Sequence, residues 1–184
     1  MARKLEFEKT PIEGLFVVRN FQASDDRGCF VKTFNMSLFK ENEIEFCSAE
    51  SYYSKSKLNV IRGMHFQTPP HDHQKLVYVT SGRILDVVVD LRSNSSTYQK
   101  CFSIELSENN ATSLFLPKGI AHGFLSLSEN TTTVYNVSSV YEMNSDSGIR
   151  YDSFGFDWGI ENPIVSERDQ NFMSMDEFCR NNLF

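Results

Sequence analysis

Residues 62–82, RGMHFQTPPHDHQKLVYVTSG, hold Arg62, His65, His71, His73 and Lys75 immediately ahead of a valine-rich run. Imidazoles change charge close to neutral pH, whereas guanidinium and ammonium groups are fixed cations there. Two chemistries use such a set: metal ligation by the histidines, or abstraction of a proton beside a carbonyl whose enolate the cations hold.

The metal reading starts from HDH at 71–73 and the distant PKGIAH at 117–122. Together they approach the metal-binding cupin pattern G-x5-H-x-H-x3-4-E-x6-G followed by P-x-G-x2-H. The glutamate is missing, since Val77 and Tyr78 stand where it belongs, and Lys75 puts an ammonium where it would repel a cation. His71 and His73 are therefore expected as exposed loop histidines, and no metal or other cofactor is expected.

Proton transfer uses more of the residues. His65 can accept a proton near neutral pH, Asp169 in the distant SERD (166–169) could orient it, and Tyr135 could return a proton. Lys75 and Arg62 would stabilise negative charge on the carbonyl oxygen in a dry site. One obstacle is geometric: Arg62 and His65 are three residues apart, so a regular strand would point them to opposite faces. Both reach one cavity only if Gly63 supplies a bulge, and an irregularity at Gly63 is the expectation.

The elements that must position these groups read as strands. Short runs rich in β-branched and aromatic residues recur between turn signals, at 5–10, 14–21, 29–35, 59–66, 75–82, 83–92, 100–107, 113–119, 122–127 and 132–141. In 84–92, Leu85, Val87, Val89 and Leu91 share one face. Asp86, Val88, Asp90 and Arg92 share the other, polar enough to line a cavity or meet water. Helix is sparse: a short turn over 37–43, and a capped C-terminal helix from Ser174 to about residue 181. Residues 143–157 read as a loop. The pattern is that of an all-β chain, a double-sheet jelly roll with a few short peripheral helices and room for a ligand between its sheets.

The 184 residues suit one domain, and 16 phenylalanines provide a large apolar load. A net charge of −6 argues against nucleic acid as a partner, because phosphate neutralisation needs a basic face. The N-terminus lacks a signal-type apolar run, and no stretch approaches the length of a membrane span, so a cytoplasmic protein without a membrane partner is expected. The four cysteines, Cys29, Cys47, Cys101 and Cys179, form no C-x-x-C pair and are expected as reduced thiols.

Over nearly its whole length the chain resembles the dTDP-4-dehydrorhamnose 3,5-epimerase family of cupin-type nucleotide-sugar epimerases. The landmarks come in the family's order: DDRG (25–28), SKSKLNVIRGMHFQ (54–67), QKLV (74–77), DVVVDLR (86–92), S-x-T-Y (95–98), LPKGIAHGF (116–124), Tyr135 and SERD. The resemblance implies a metal-free jelly-roll homodimer. Such enzymes epimerise C3 and C5 of a 4-keto-6-deoxyhexose carried on a nucleoside diphosphate, in deoxysugar biosynthesis for surface polysaccharides such as lipopolysaccharide O-antigen.

By the same resemblance His65 is the general base with Asp169 its partner, Lys75 and Arg62 hold the C4 enolate, and Tyr135 is the acid on the opposite face. His122 is a pocket position and Arg27 contacts the diphosphate. Glu50, Tyr52, Gln67 and Tyr141 complete the expected substrate contacts. The chain departs from the family at Glu50-Ser51-Tyr52, where QDN is common, at Lys32 in place of a glutamate, and at Ala23 in place of an aromatic residue. A CDP- or GDP-linked sugar, or inversion at one carbon only, therefore stays open. So do a nucleotide-sugar 3,4-ketoisomerase and a non-catalytic carbohydrate-binding jelly roll. An N-terminal strand over 5–10 could add to a partner's sheet.

Overall fold

The computed structural model describes residues 4–184. In chain order the strands are β1 Glu6–Lys9, β2 Phe16–Arg19, β3 Phe21–Asp25, β4 Gly28–Lys32, β5 Glu50–Ser56, β6 Val60–Gln67 and β7 Lys75–Ser81. They continue with β8 Arg83–Asp90, β9 Cys101–Ser107, β10 Thr112–Leu116, β11 Ile120–Ser126, β12 Thr131–Val137, β13 Asp146–Gly148 and β14 Ile164–Val165. The helices are α1 Met36–Glu41, α2 Glu167–Gln170 and α3 Met175–Arg180.

Two sheets carry the fold. The first has the order β1-β2-β10-β7-β12-β5; the second runs β13-β6-β11-β8-β9, with β14 parallel beside β6. The non-sequential neighbours, β2 with β10 and β6 with β11, are the crossed connections of a jelly roll, which was the expected class. The β3–β4 hairpin stands apart as a two-stranded ribbon. Among the described residues no helix is long and apolar enough to cross a membrane.

Three apolar clusters make the layers. Between the sheets, Val17, Val77, Val79, Val88, Leu106, Leu114 and Phe124 interlock. Behind the second sheet, Ile61, Met64, Phe66, Val87, Val89 and Leu91 are covered by Trp158, Met175 and Phe178 from the C-terminal segment. Behind the first, Val18, Leu76 and Phe115 receive Phe39 of α1 and Phe46. Fully burying such a side chain is worth about 1.5–3 kcal/mol, so covering both outer faces stabilises the sheets as a rigid pair of walls.

The expected alternation of β8 holds, but its second face is not solvated. Asp86 and Asp90 are both 0% exposed, one against His122 and the other against Arg92, Ser95 and Thr97. Sequence reading missed β5, whose segment ESYYSKS lacks an apolar stripe, and β13, which lies within the expected loop 143–157. The C-terminal helix is present with its capping box: the Ser174 hydroxyl accepts from the Glu177 N–H, and the Glu177 carboxylate accepts from the Ser174 N–H.

Candidate active site

A cavity of about 350 Å³ opens between the sheets. One wall is the second sheet, giving Arg62, His65 and Gln67 from β6 with His122 and Phe124 from β11. The other is the first sheet, giving Glu50, Tyr52 and Ser54 from β5, Lys75 from β7, and Tyr135 and Val137 from β12. His73, Ser139, Tyr141, Asp146 and Arg168 add to the lining.

Arg62 and His65 share this cavity because β6 is irregular at the expected place. Against β11, His122 pairs with His65 and Phe124 with Arg62, so two steps on one strand match three on the other. The extra residue changes the parity of the strand. Ile61, Met64 and Phe66 then face the cluster behind the sheet while Arg62, His65 and Gln67 face the cavity. Gly63 has φ +136°, and a Cβ there would lie 2.5 Å from the Gly123 Cα, so the bulge needs glycine on both strands. The Gly63–Met64 peptide is cis.

The SERD segment does fold back. Ser166 caps α2, its hydroxyl accepting from the Asp169 N–H, which turns Asp169 into the protein. One carboxylate oxygen lies 2.8 Å from His65 Nε2 and the other accepts from the Gly63 N–H at 3.1 Å. Burial lowers the His65 pKa more than Asp169 raises it. Burial also pushes Asp169 upward, but its hydrogen bonds to His65, Gly63 and Ser166 outweigh this and hold it below the ordinary carboxylate value. A neutral imidazole donating Nε2–H to a carboxylate leaves Nδ1 as the proton acceptor.

Lys75, 5% exposed, donates to the His65 carbonyl at 3.2 Å, and burial brings its pKa down to about 8. Arg62 is anchored by Nε to the Ser56 hydroxyl and by its terminal nitrogen to the Lys55 carbonyl, both at 3.0 Å. Tyr135, 8% exposed, lies 3.3 Å from the Ser54 hydroxyl, and burial raises its pKa, which keeps the phenol protonated. His122 is buried with Nε2 2.8 Å from Asp86, whose pKa burial raises. The arrangement can therefore take a proton on one wall and return one from the other, with a cation beside the oxygen between them.

Of the remaining expected residues, Glu50, Tyr52, Gln67 and Tyr141 all line the cavity. Arg27 does not. It sits at the tip of the β3–β4 hairpin with an 89% exposed side chain, paired with Asp25 at 2.6 Å.

His73 corrects the expectation of an exposed loop histidine. It is half-buried in the cavity wall, its Nδ1 lies 3.2 Å from Gln67 Nε2, and its Nε2 is buried without a partner. Burial, with Lys75 and Lys118 nearby, holds it neutral with a pKa of about 3. His71 is likewise half-buried.

Sequence reading also missed Ser54, Ser139, Asp146 and Arg168. The last two form an ion pair of 2.6 Å at the cavity. Arg168 lay within a motif already singled out, next to Asp169, and that adjacency was the available signal.

The family model described as dTDP-4-dehydrorhamnose 3,5-epimerase matches residues 9–177. The enzyme of that name from Methanothermobacter thermautotrophicus is 38% identical over 179 residues, covering 95% of this chain and 96% of its own. A dTDP-4-dehydrorhamnose 3-epimerase from Streptomyces niveus is 31% identical, over 90% of this chain and 82% of its own. The crystal structure of dTDP-4-dehydrorhamnose 3,5-epimerase from Elizabethkingia anophelis superposes with a TM-score of 0.89 at 34% identity, covering 98% and 99% of the two chains.

Proposed function

Because the chain belongs to the dTDP-4-dehydrorhamnose 3,5-epimerase family, a family of isomerases in deoxysugar biosynthesis, we propose that its cavity inverts C3 and C5 of a dTDP-linked 4-keto-6-deoxyhexose. The observation that carries the reading is the opposition of His65 on one sheet, paired with Asp169 of α2, to Lys75 and Tyr135 on the other. His65 Nδ1 removes the proton beside the C4 carbonyl, and the electron pair moves onto the oxygen held by Lys75 and Arg62. The Tyr135 phenol then protonates the carbon from the opposite face. His122, Gln67, Glu50, Tyr52 and Tyr141 contact the substrate.

The same proposal covers the assembly. The protein acts as a cytoplasmic homodimer supplying deoxysugar for surface polysaccharide, as one domain without a cofactor. Arg27 lies outside the cavity of its own chain, and a diphosphate contact requires the hairpin to reach the cavity of a second copy. The β1 strand, at the edge of the first sheet, is paired within its own chain to β2.

The experiment is proton exchange in D₂O with dTDP-, CDP- and GDP-4-keto-6-deoxyhexoses, read by NMR. The expected result is deuterium at C3 and C5 of the dTDP sugar with the carbonyl still at C4. His65→Ala is expected to lower exchange about 10²–10⁴-fold while nucleotide binding persists. A carbonyl that moves to C3 would indicate a ketoisomerase. Saturable binding without exchange would indicate a lectin-like module.

A further inference from the structure

Inverting two carbons requires two proton deliveries from the face opposite His65, one at C3 and one at C5. Once Tyr135 has given up its proton it is a phenolate in a buried site, with Ser54 as its hydrogen-bonding neighbour. C3 and C5 flank C4 on opposite sides, so a second delivery needs either a refilled Tyr135 and a shifted ring, or a second donor on the same wall.

The same wall holds a second phenol. Tyr52 on β5 is the direct cross-strand partner of Tyr135 on β12. Their rings are 5.0 Å apart and within 23° of parallel, which fixes Tyr52 as a stacked neighbour rather than a free surface side chain. Both rings line the cavity from the first sheet, across from His65 on the second. Among the described residues no group makes a hydrogen bond to the Tyr52 hydroxyl, whereas the Tyr135 hydroxyl has Ser54.

The two hydroxyls differ in their partners: Tyr135 has Ser54 at 3.3 Å, and Tyr52 stands beside the Glu50 and Asp146 carboxylates. Partial burial and the two carboxylates raise the Tyr52 pKa to about 12, so it stays protonated under working conditions.

We propose that Tyr52 is a second proton donor of the reaction, protonating one of the two inverted carbons while Tyr135 protonates the other. The inference rests on the epimerase reading above and goes beyond it. In each half-reaction His65 takes the proton of the C–H bond, and that bond's electron pair forms the enolate with its charge on O4. In the half-reaction that Tyr52 serves, its O–H bond then breaks, the proton joins carbon on the opposite face, and the C4 carbonyl re-forms. The Tyr52 phenolate regains a proton from water, which reaches it because the residue is 43% exposed, and His65 releases its proton to solvent.

The test compares wild type, Tyr52→Phe and Tyr135→Phe in D₂O, following deuterium incorporation and configuration at C3 and C5 separately. Tyr52→Phe is expected to lower inversion at one carbon by about 10²-fold or more, with Tyr135→Phe doing so at the other. His65-dependent exchange should persist at both carbons. Tyr52→Asn, which also removes the stacked ring, should reproduce the Tyr52→Phe defect at the same carbon. Wild-type rates of inversion at both carbons in Tyr52→Phe would overturn this inference alone, as would a wild-type enzyme that inverts a single carbon. A wild type that exchanges at neither carbon would overturn it together with the epimerase reading.

Discussion

At the scale of single residues, burial sets the charge states of the site: it holds His65 neutral and brings Lys75, still charged at pH 7, closer to losing its proton. Burial lowers His65, so the neutral base survives below pH 6.5, and lowers Lys75 to about 8. The pH profile of kcat/KM should therefore be bell-shaped, with an acid limb below 6.5 and an alkaline limb near 8 where Lys75 loses its charge. Lys75→Arg, if it retains activity, should remove the alkaline limb.

The same shift has a stability consequence. A lysine at 10.5 when unfolded and about 8 when folded favours folding fully above pH 10.5, and that contribution is lost as pH falls through 8. At pH 7 the buried charge thus costs roughly 3 kcal/mol. Lys75→Met should raise the midpoint of denaturant unfolding at pH 7 while abolishing exchange. His65, Lys75, Tyr135 and Asp169 were legible from residue type and motif. Ser54 and Arg168 lay inside motifs already singled out, whereas Ser139 and Asp146 were not legible, because a lone serine or carboxylate carries no spacing of its own; the position of His73 depends on contacts with Gln67 and Ser139 that no local pattern encodes.

At the scale of elements, two strands decide the cavity. In β6 the parity argument was readable in advance, since a histidine and an arginine three apart around a glycine demand a bulge if both are to be used. Gly63→Ala is expected to destabilise the fold by at least about 1–3 kcal/mol, from its positive φ alone, with the Gly123 clash adding to it. Any folded fraction should lose exchange, measurable by denaturant midpoint and D₂O assay on the same sample. Strand β5 was illegible for the opposite reason. Glu50, Tyr52 and Ser54 face a polar cavity and Tyr53 is 65% exposed, so neither face shows the apolar stripe by which strands are recognised. It is held by pairing along its whole length with β12, a tertiary fact.

At the scale of the whole molecule, the recurring β-rich runs made the jelly roll legible, whereas the crossed pairing of β2 with β10 and β6 with β11 is set by long-range contacts. Arg27 belongs to this scale as well, since the proposed diphosphate contact needs a second copy. Mixing Arg27→Ala with His65→Ala chains should restore turnover through mixed dimers if the hairpin serves the neighbour's cavity, and sedimentation should give twice the chain mass. The division of labour between the two walls has a mechanical corollary. In the proposed reaction, base and acids stand on separate sheets whose inner faces pack together, so turnover is expected to depend on how those sheets are aligned. A substitution that lets them slide by an ångström would silence turnover while the circular dichroism still reported an intact protein.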